Sequence, residues 1–141
     1  MIYNCLFITA LLSVGVCAMT DLKDQKIYNK VLILFFICAI IMRNFSLNHA
    51  FIFKGFFDSA IVLGIGFILF HFHVMGAGDV KLMSLIAFCV GILDFIYALF
   101  ISSLFAFFYA AWLIIIQQRK GRFPFACFMF LGLLIFGILT I

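Results

Sequence analysis

The stretch "VMGAGDVKLMSL", residues 74–85, places an aspartate, Asp79, directly behind Gly76-Ala77-Gly78 and two residues ahead of Lys81. Upstream, residues 55–75 form an apolar run interrupted by Asp58. Downstream, residues 82–116 continue apolar for 35 residues, with Gly91 and Asp94 as the candidate turn. A carboxylate amid so much apolar sequence is costly unless it sits at a boundary, has partners, or serves a function.

The rest of the chain has the same character. Of its 141 residues, 69% are hydrophobic, 10% are charged and 22 are Phe. A soluble domain of this size cannot hide that much apolar surface. A membrane-crossing helix needs about 20 apolar residues. The length therefore implies an all-α polytopic membrane protein with about six transmembrane helices, forming one domain over residues 1–141. The apolar runs are continuous and do not alternate, which argues against a β-barrel.

Further runs cover residues 2–20, 27–42 and 123–141, with polar connectors at 21–30, 43–54 and 117–122. Six crossings put the connectors alternately on two sides. One side then receives Lys23, Lys26, Lys30, Lys81, Arg119, Lys120 and Arg122, and the other receives Arg43 and Lys54. This seven-to-two split of basic residues predicts that both termini face outward and that the connectors around Asp21, Asp79 and Arg119 face the cytoplasm. The +4 net charge is read as topology, with no nucleic-acid partner; membrane lipids are the expected surroundings. The first run is preceded by no Lys or Arg, which opposes a cleaved signal peptide. One feature fits poorly. Ten residues from Leu82 to Gly91 make only about 15 Å of helix. Either the glycine segment dips into the membrane or the turn lies beyond Asp94.

The chain has no glutamate, so the His-Glu-x-x-His zinc proteases are excluded. A Gly-x-Ser-Gly nucleophile and the phosphate-binding glycine loops are absent too. The five cysteines form no Cys-x-x-Cys pair and read as packing residues. The expectation is no cofactor and no metal, with His71 and His73 as structural residues. Asp21, Asp24, Asp58, Asp79 and Asp94 are the carboxylates that remain. The topology brings Asp21 and Asp79 to the same side. Two carboxylates held close share a proton, so that one activates water while the other protonates a carbonyl oxygen. An Asp at a helix N-terminus also serves as a cap or dipole partner, and for Asp79 both readings stay open. Gly76 and Gly78 suit unusual backbone angles and close approach of a substrate strand.

"GAGDVKLMSLIA" resembles the Gly-x-Gly-Asp motif of the type IV prepilin peptidases. "TDLKDQKIYN" resembles the same family's first-aspartate motif, in which Ile-Pro-Asn follows; here the triplet is Ile27-Tyr28-Asn29. "GRFPFACFMFLG" is similar to the family's entry into its last helix. Presenilin-like proteases share Gly-x-Gly-Asp, but carry a Tyr-Asp motif that this sequence lacks. Without cytoplasmic Cys-x-x-Cys pairs, the chain is similar to the short, protease-only enzymes of Flp (Tad/Cpa) pilus systems. The resemblance implies catalysis by Asp21 and Asp79, with Gly76, Gly78 and Lys81 in an active-site loop. It implies cleavage of prepilin or pseudopilin leaders at the inner face of a bacterial cytoplasmic membrane. The sequence carries no expectation for the oligomeric state.

Among the other polar residues, Asp24 is the rival first aspartate. Asp58 is expected to pair with Lys54 at i−4, and Asp94 to lie in a turn. His49 is assigned to the outer connector. Lys81 is expected to attract the Asp79 carboxylate or to mark the membrane surface. The alternative function is a small proton- or cation-coupled transporter, which would spread its aspartates along a pathway. A non-catalytic scaffold would tolerate Asn at either aspartate.

Overall fold

In a computed structural model, which describes residues 2–24, 28–45, 49–73, 75–116 and 125–140, the apolar runs become six helices. They are α1 (Ile2–Asp24), α2 (Asn29–Asn44), α3 (His49–His71), α4 (Ala77–Val90), α5 (Ile92–Ile116) and α6 (Phe125–Thr140). Three stretches, Tyr3–Lys23, Ala50–His71 and Ile92–Trp112, are long and apolar enough to cross a membrane. Their outward faces carry exposed Phe57 and Phe67 on α3 and exposed Phe100 and Phe107 on α5. A lipid surround favours that arrangement and water would not. The basic connectors at 25–27 and 117–124, with Pro124, lie outside the described residues.

Helix α3 begins earlier than the apolar pattern suggested. His49 is its first residue and Lys54 lies in its second turn, so neither belongs to a connector. Phe51, Ile52 and Phe53 make that segment apolar enough to join the helix, and Phe51 packs against the core.

Side-chain contacts show that the helices alternate in direction. Tyr3 and Asp94, near the starts of α1 and α5, are joined by a 2.6 Å hydrogen bond. Asn29 and Lys81, near the starts of α2 and α4, meet at 3.1 Å. Arg43 at the end of α2 donates to the Phe51 carbonyl at the start of α3. The bundle thus has two polar ends, one gathering the starts of the odd helices and the other the starts of the even ones.

The short helix α4 lies at the centre and packs on α1, α2, α3 and α5. Every residue from Leu82 to Val90 is buried, as is Val80, so from Leu82 onward the helix is enclosed on every side and is apolar but for Ser84. Its 14 residues span about 21 Å. This resolves the length problem differently from either alternative above. The helix starts at Ala77, so Gly78 and Asp79 form its first turn, and it stops at Gly91. There φ is +92°, which glycine adopts without strain. The single residue Gly91 separates α4 from α5. Asp94 is consequently not a turn residue; it lies in the first turn of α5, where its carboxylate accepts the Tyr3 hydroxyl.

Candidate active site

Asp79 stands third in helix α4, after the N-cap Gly76 (φ −75°, ψ 147°). The Val80 N–H donates to the Gly76 carbonyl at 3.2 Å and closes the first turn. The Asp79 carboxylate reaches back to the Gly76 N–H, which is half of a capping box. The geometry explains the glycine. A Cβ on residue 76 would come within 3.1 Å of Asp79 Oδ2, tighter than ordinary packing. The backbone angles at Gly76 are ones any residue adopts, so the need is for space and not for conformational freedom. The expected active-site loop is therefore a helix N-terminus. Gly78 and Lys81 are helical residues, and Gly76 alone of the three precedes the helix.

Asp21 lies in the last turn of α1, half-buried, and its carboxylate accepts the backbone N–H of Ala126 in the first turn of α6. Close by, Cys127 Sγ approaches the Ala18 carbonyl at 3.8 Å. Asp21 thus links the end of α1 to the start of α6. Its negative charge also acts on Asp79, at the start of α4. Burial first, and the Asp21 charge second, push the Asp79 carboxyl up to about 6, against the opposing Gly76 N–H. Asp79 is at the tip of α4, outside the three long apolar helices. Two carboxylates separated by 58 positions are in this way brought within electrostatic reach.

Lys81 does not attract Asp79 as its principal partner. Its Nζ donates to Asn29 Oδ1 at 3.1 Å, so the glycine-aspartate motif is tied to the Ile-Tyr-Asn motif across α4 and α2. Tyr28, which stands where the resemblance has proline, holds φ −78° and ψ 120°. That φ lies within proline's own range, so this departure leaves the backbone entry into α2 as a proline would set it.

The other acidic residues are placed elsewhere. Asp58 is 4% exposed at the opposite end, where its Oδ2 accepts the Ile92 N–H at 3.3 Å. Its role there is to cap α5, and the nearby cation is Arg43, which it influences electrostatically. Lys54 is not the partner that Asp58 is seen to use. The side chain of Asp24 lies outside the described residues. His71 and His73 are exposed at the end of α3, where His73 has φ +59°. Among the described residues no three His, Cys or Asp side chains converge as a metal-ligand set.

Sequence reasoning missed two contributors. Gly66 on α3 lets Val80 approach; a Cβ there would lie 2.6 Å from Val80 Cγ1, one residue from Asp79. Ala126 acts through its backbone N–H, which no side-chain pattern can announce. The sequence model of the type IV leader peptidase family matches residues 5–111, a stretch holding both Asp21 and Asp79. No match was found among curated proteins or among solved structures.

Proposed function

The chain belongs to the type IV leader peptidase family, and from that premise we propose that it is an aspartic endopeptidase acting through Asp21 and Asp79. It is a peptidase and a membrane protein; the catalytic pair, substrate and sidedness are the further steps of the proposal. The observation that carries the catalytic pair is the charge of Asp21 acting on Asp79 at one end of the bundle; the substrate follows from the family and the sidedness from the split of basic residues. Two facing carboxylates retain one proton between them. The ionised member takes a proton from water as the water oxygen bonds to the scissile carbonyl carbon. The protonated member donates to the carbonyl oxygen. Collapse of the tetrahedral intermediate breaks the C–N bond, and the leaving nitrogen takes the returned proton. A raised pKa at Asp79 suits the group that must hold the proton near neutral pH.

The substrate class is a prepilin or pseudopilin: a basic leader, a glycine before the scissile bond, then an apolar helix. The membrane is the bacterial cytoplasmic one, with the Asp21–Asp79 end facing the cytoplasm and the product serving Flp or type IV pilus assembly. Both polar ends carry aspartates, but at one of them Asp58 and Asp94 are taken up by the Ile92 N–H and the Tyr3 hydroxyl, whereas at the other the charge of Asp21 acts on Asp79. A transport pathway would need carboxylates in succession through the bundle, and the capped Asp58 does not supply the next station. Co-expression with a candidate prepilin, followed by N-terminal sequencing of the product, tests the activity. An unprocessed prepilin beside an abundant, membrane-inserted chain would sink the proposal. Cysteine reporters at Lys23 and Phe45 test the sidedness: the first should be shielded from outside and the second labelled.

A further inference from the structure

On the lipid-facing side of the α1–α6 seam runs a groove of about 300 Å³, at the low end of ligand-pocket volumes. Ala18, Met19 and Leu22 of α1 form one wall, and Cys127 and Leu131 of α6 form the other. Its lower part is narrowed where Gly15 meets Phe130; a Cβ on residue 15 would lie 3.2 Å from that ring. Met19 and Leu131 are exposed, so the groove opens outward. We propose that this groove receives the first turns of the substrate's apolar helix, just beyond the scissile bond. The inference rests on the leader-peptidase reading and adds where the substrate lies.

Three observations carry it. First, the groove is continuous with the catalytic pair. Its walls are the two helices that hold Asp21: Ala18 and Leu22 flank Asp21 within one turn, and Cys127 adjoins Ala126, whose N–H reaches the Asp21 carboxylate. Second, the body of α4 from Leu82 to Val90 is buried among four other helices, which closes the route to Asp79 along that helix. A membrane-resident helix therefore reaches the pair from a peripheral seam, and α1–α6 is the seam that contains Asp21. Third, the walls have the composition that favours helix–helix contact in lipid. Gly15, Ala18 and Cys127 are small, and small residues let helices approach closely where hydrophobic burial supplies no drive. A volume of this size admits the side-chain knobs of a guest helix.

The test uses a synthetic substrate with a basic leader ending in glycine, an apolar helix of about 20 residues, and a C-terminal tag. A photo-crosslinking amino acid is placed at Leu131 or Met19 in the full-length Asp79→Asn chain, which binds without turnover. Controls carry it at Phe67 and Phe107, on the exposed faces of α3 and α5. The expected result is crosslinking from Leu131 and Met19 to the first two turns of the substrate helix, with yields at least about tenfold above the controls. In the otherwise active chain, Leu131→Trp should raise KM by about tenfold for this substrate, and by less for a leader peptide without the helix. Crosslinks to lipid alone, or yields equal to the controls, in a protein that still cleaves would overturn the groove inference and leave the peptidase reading intact. Failure of the unlabelled wild-type chain to cleave would overturn both.

Discussion

Asp58 and Asp79 are both sunk into the bundle, at opposite ends, and their neighbours differ. Asp58 meets a backbone N–H at the start of α5 and lies near a buried guanidinium, which itself stacks 4.2 Å from the Phe51 ring and 4.9 Å from the Phe88 ring. Such a carboxylate is tied to its place by a contact between helices. Asp79 meets one N–H and a second carboxylate. A like charge penalises ionisation, so this group stands ready to exchange a proton. Burial alone does not separate the two aspartates; the sign of the neighbouring charge does.

Conservative replacement breaks the comparison most directly. Asp21→Asn and Asp79→Asn should each lower prepilin cleavage by about 10³-fold or more, the scale of lost general acid–base catalysis, with normal protein in the membrane. Asp58→Asn keeps an oxygen for the Ile92 N–H and should retain cleavage. Activity in both dyad variants would refute the proposed site, and gel analysis of leader removal decides it.

Gly66→Ala should act on the dyad from outside it. The new Cβ meets Val80 at 2.6 Å and displaces the tip of α4. A shift of about 1 Å can cost about 10²-fold in rate, so kcat should fall while the helical content stays unchanged by circular dichroism. Asp58→Ala should do the reverse. It strands the Ile92 N–H, at about 1–3 kcal/mol, and should lower the unfolding temperature in detergent more than it lowers kcat in the folded fraction.

The proton balance offers a finer measurement. The Asp79 carboxyl titrates near 6, above its ordinary 3.8. With the folded value raised, its stabilising contribution is fully present below 3.8 and is lost as pH rises to about 6. In Asp21→Asn the like charge is gone, so the Asp79 titration should move down toward 3.8, as read by the carboxyl infrared band. No movement would show that the two carboxylates do not sense each other. The smallest effect is expected from Asn29→Ala, which removes the exposed hydrogen bond to Lys81 and should cost about 0.5–1.5 kcal/mol, measured by thermal unfolding.

Much of the architecture was readable from local pattern. Apolar runs of membrane-crossing length mark helices because lipid leaves the backbone no other partner, and the six helices follow them closely. The boundaries that failed did so for identifiable reasons. Residues 49–54 mix His49 and Lys54 with four apolar residues, and the packing of Phe51 drew the whole segment into α3. Asp94 lies three residues after Gly91 and the two together looked like the turn, but Gly91 alone makes it. Asp58 has a lysine at i−4, yet a backbone N–H from another helix lies nearer the core.

The sequence by itself determined the all-helical class, the candidates Asp21 and Asp79, and the family resemblance, because hydropathy and short motifs are local properties of the chain. Tertiary structure alone decided that α4 is a central, enclosed helix, and that Gly76 serves space and not backbone angle. It decided that Lys81 binds Asn29, and that Ala126 and Gly66 take part through a backbone N–H and an absent side chain. The physical reason is common to all of these. Whether a carboxylate is a cap, an ion-pair partner or an acid depends on charges and donors brought in from other helices, and no single stretch of sequence contains them.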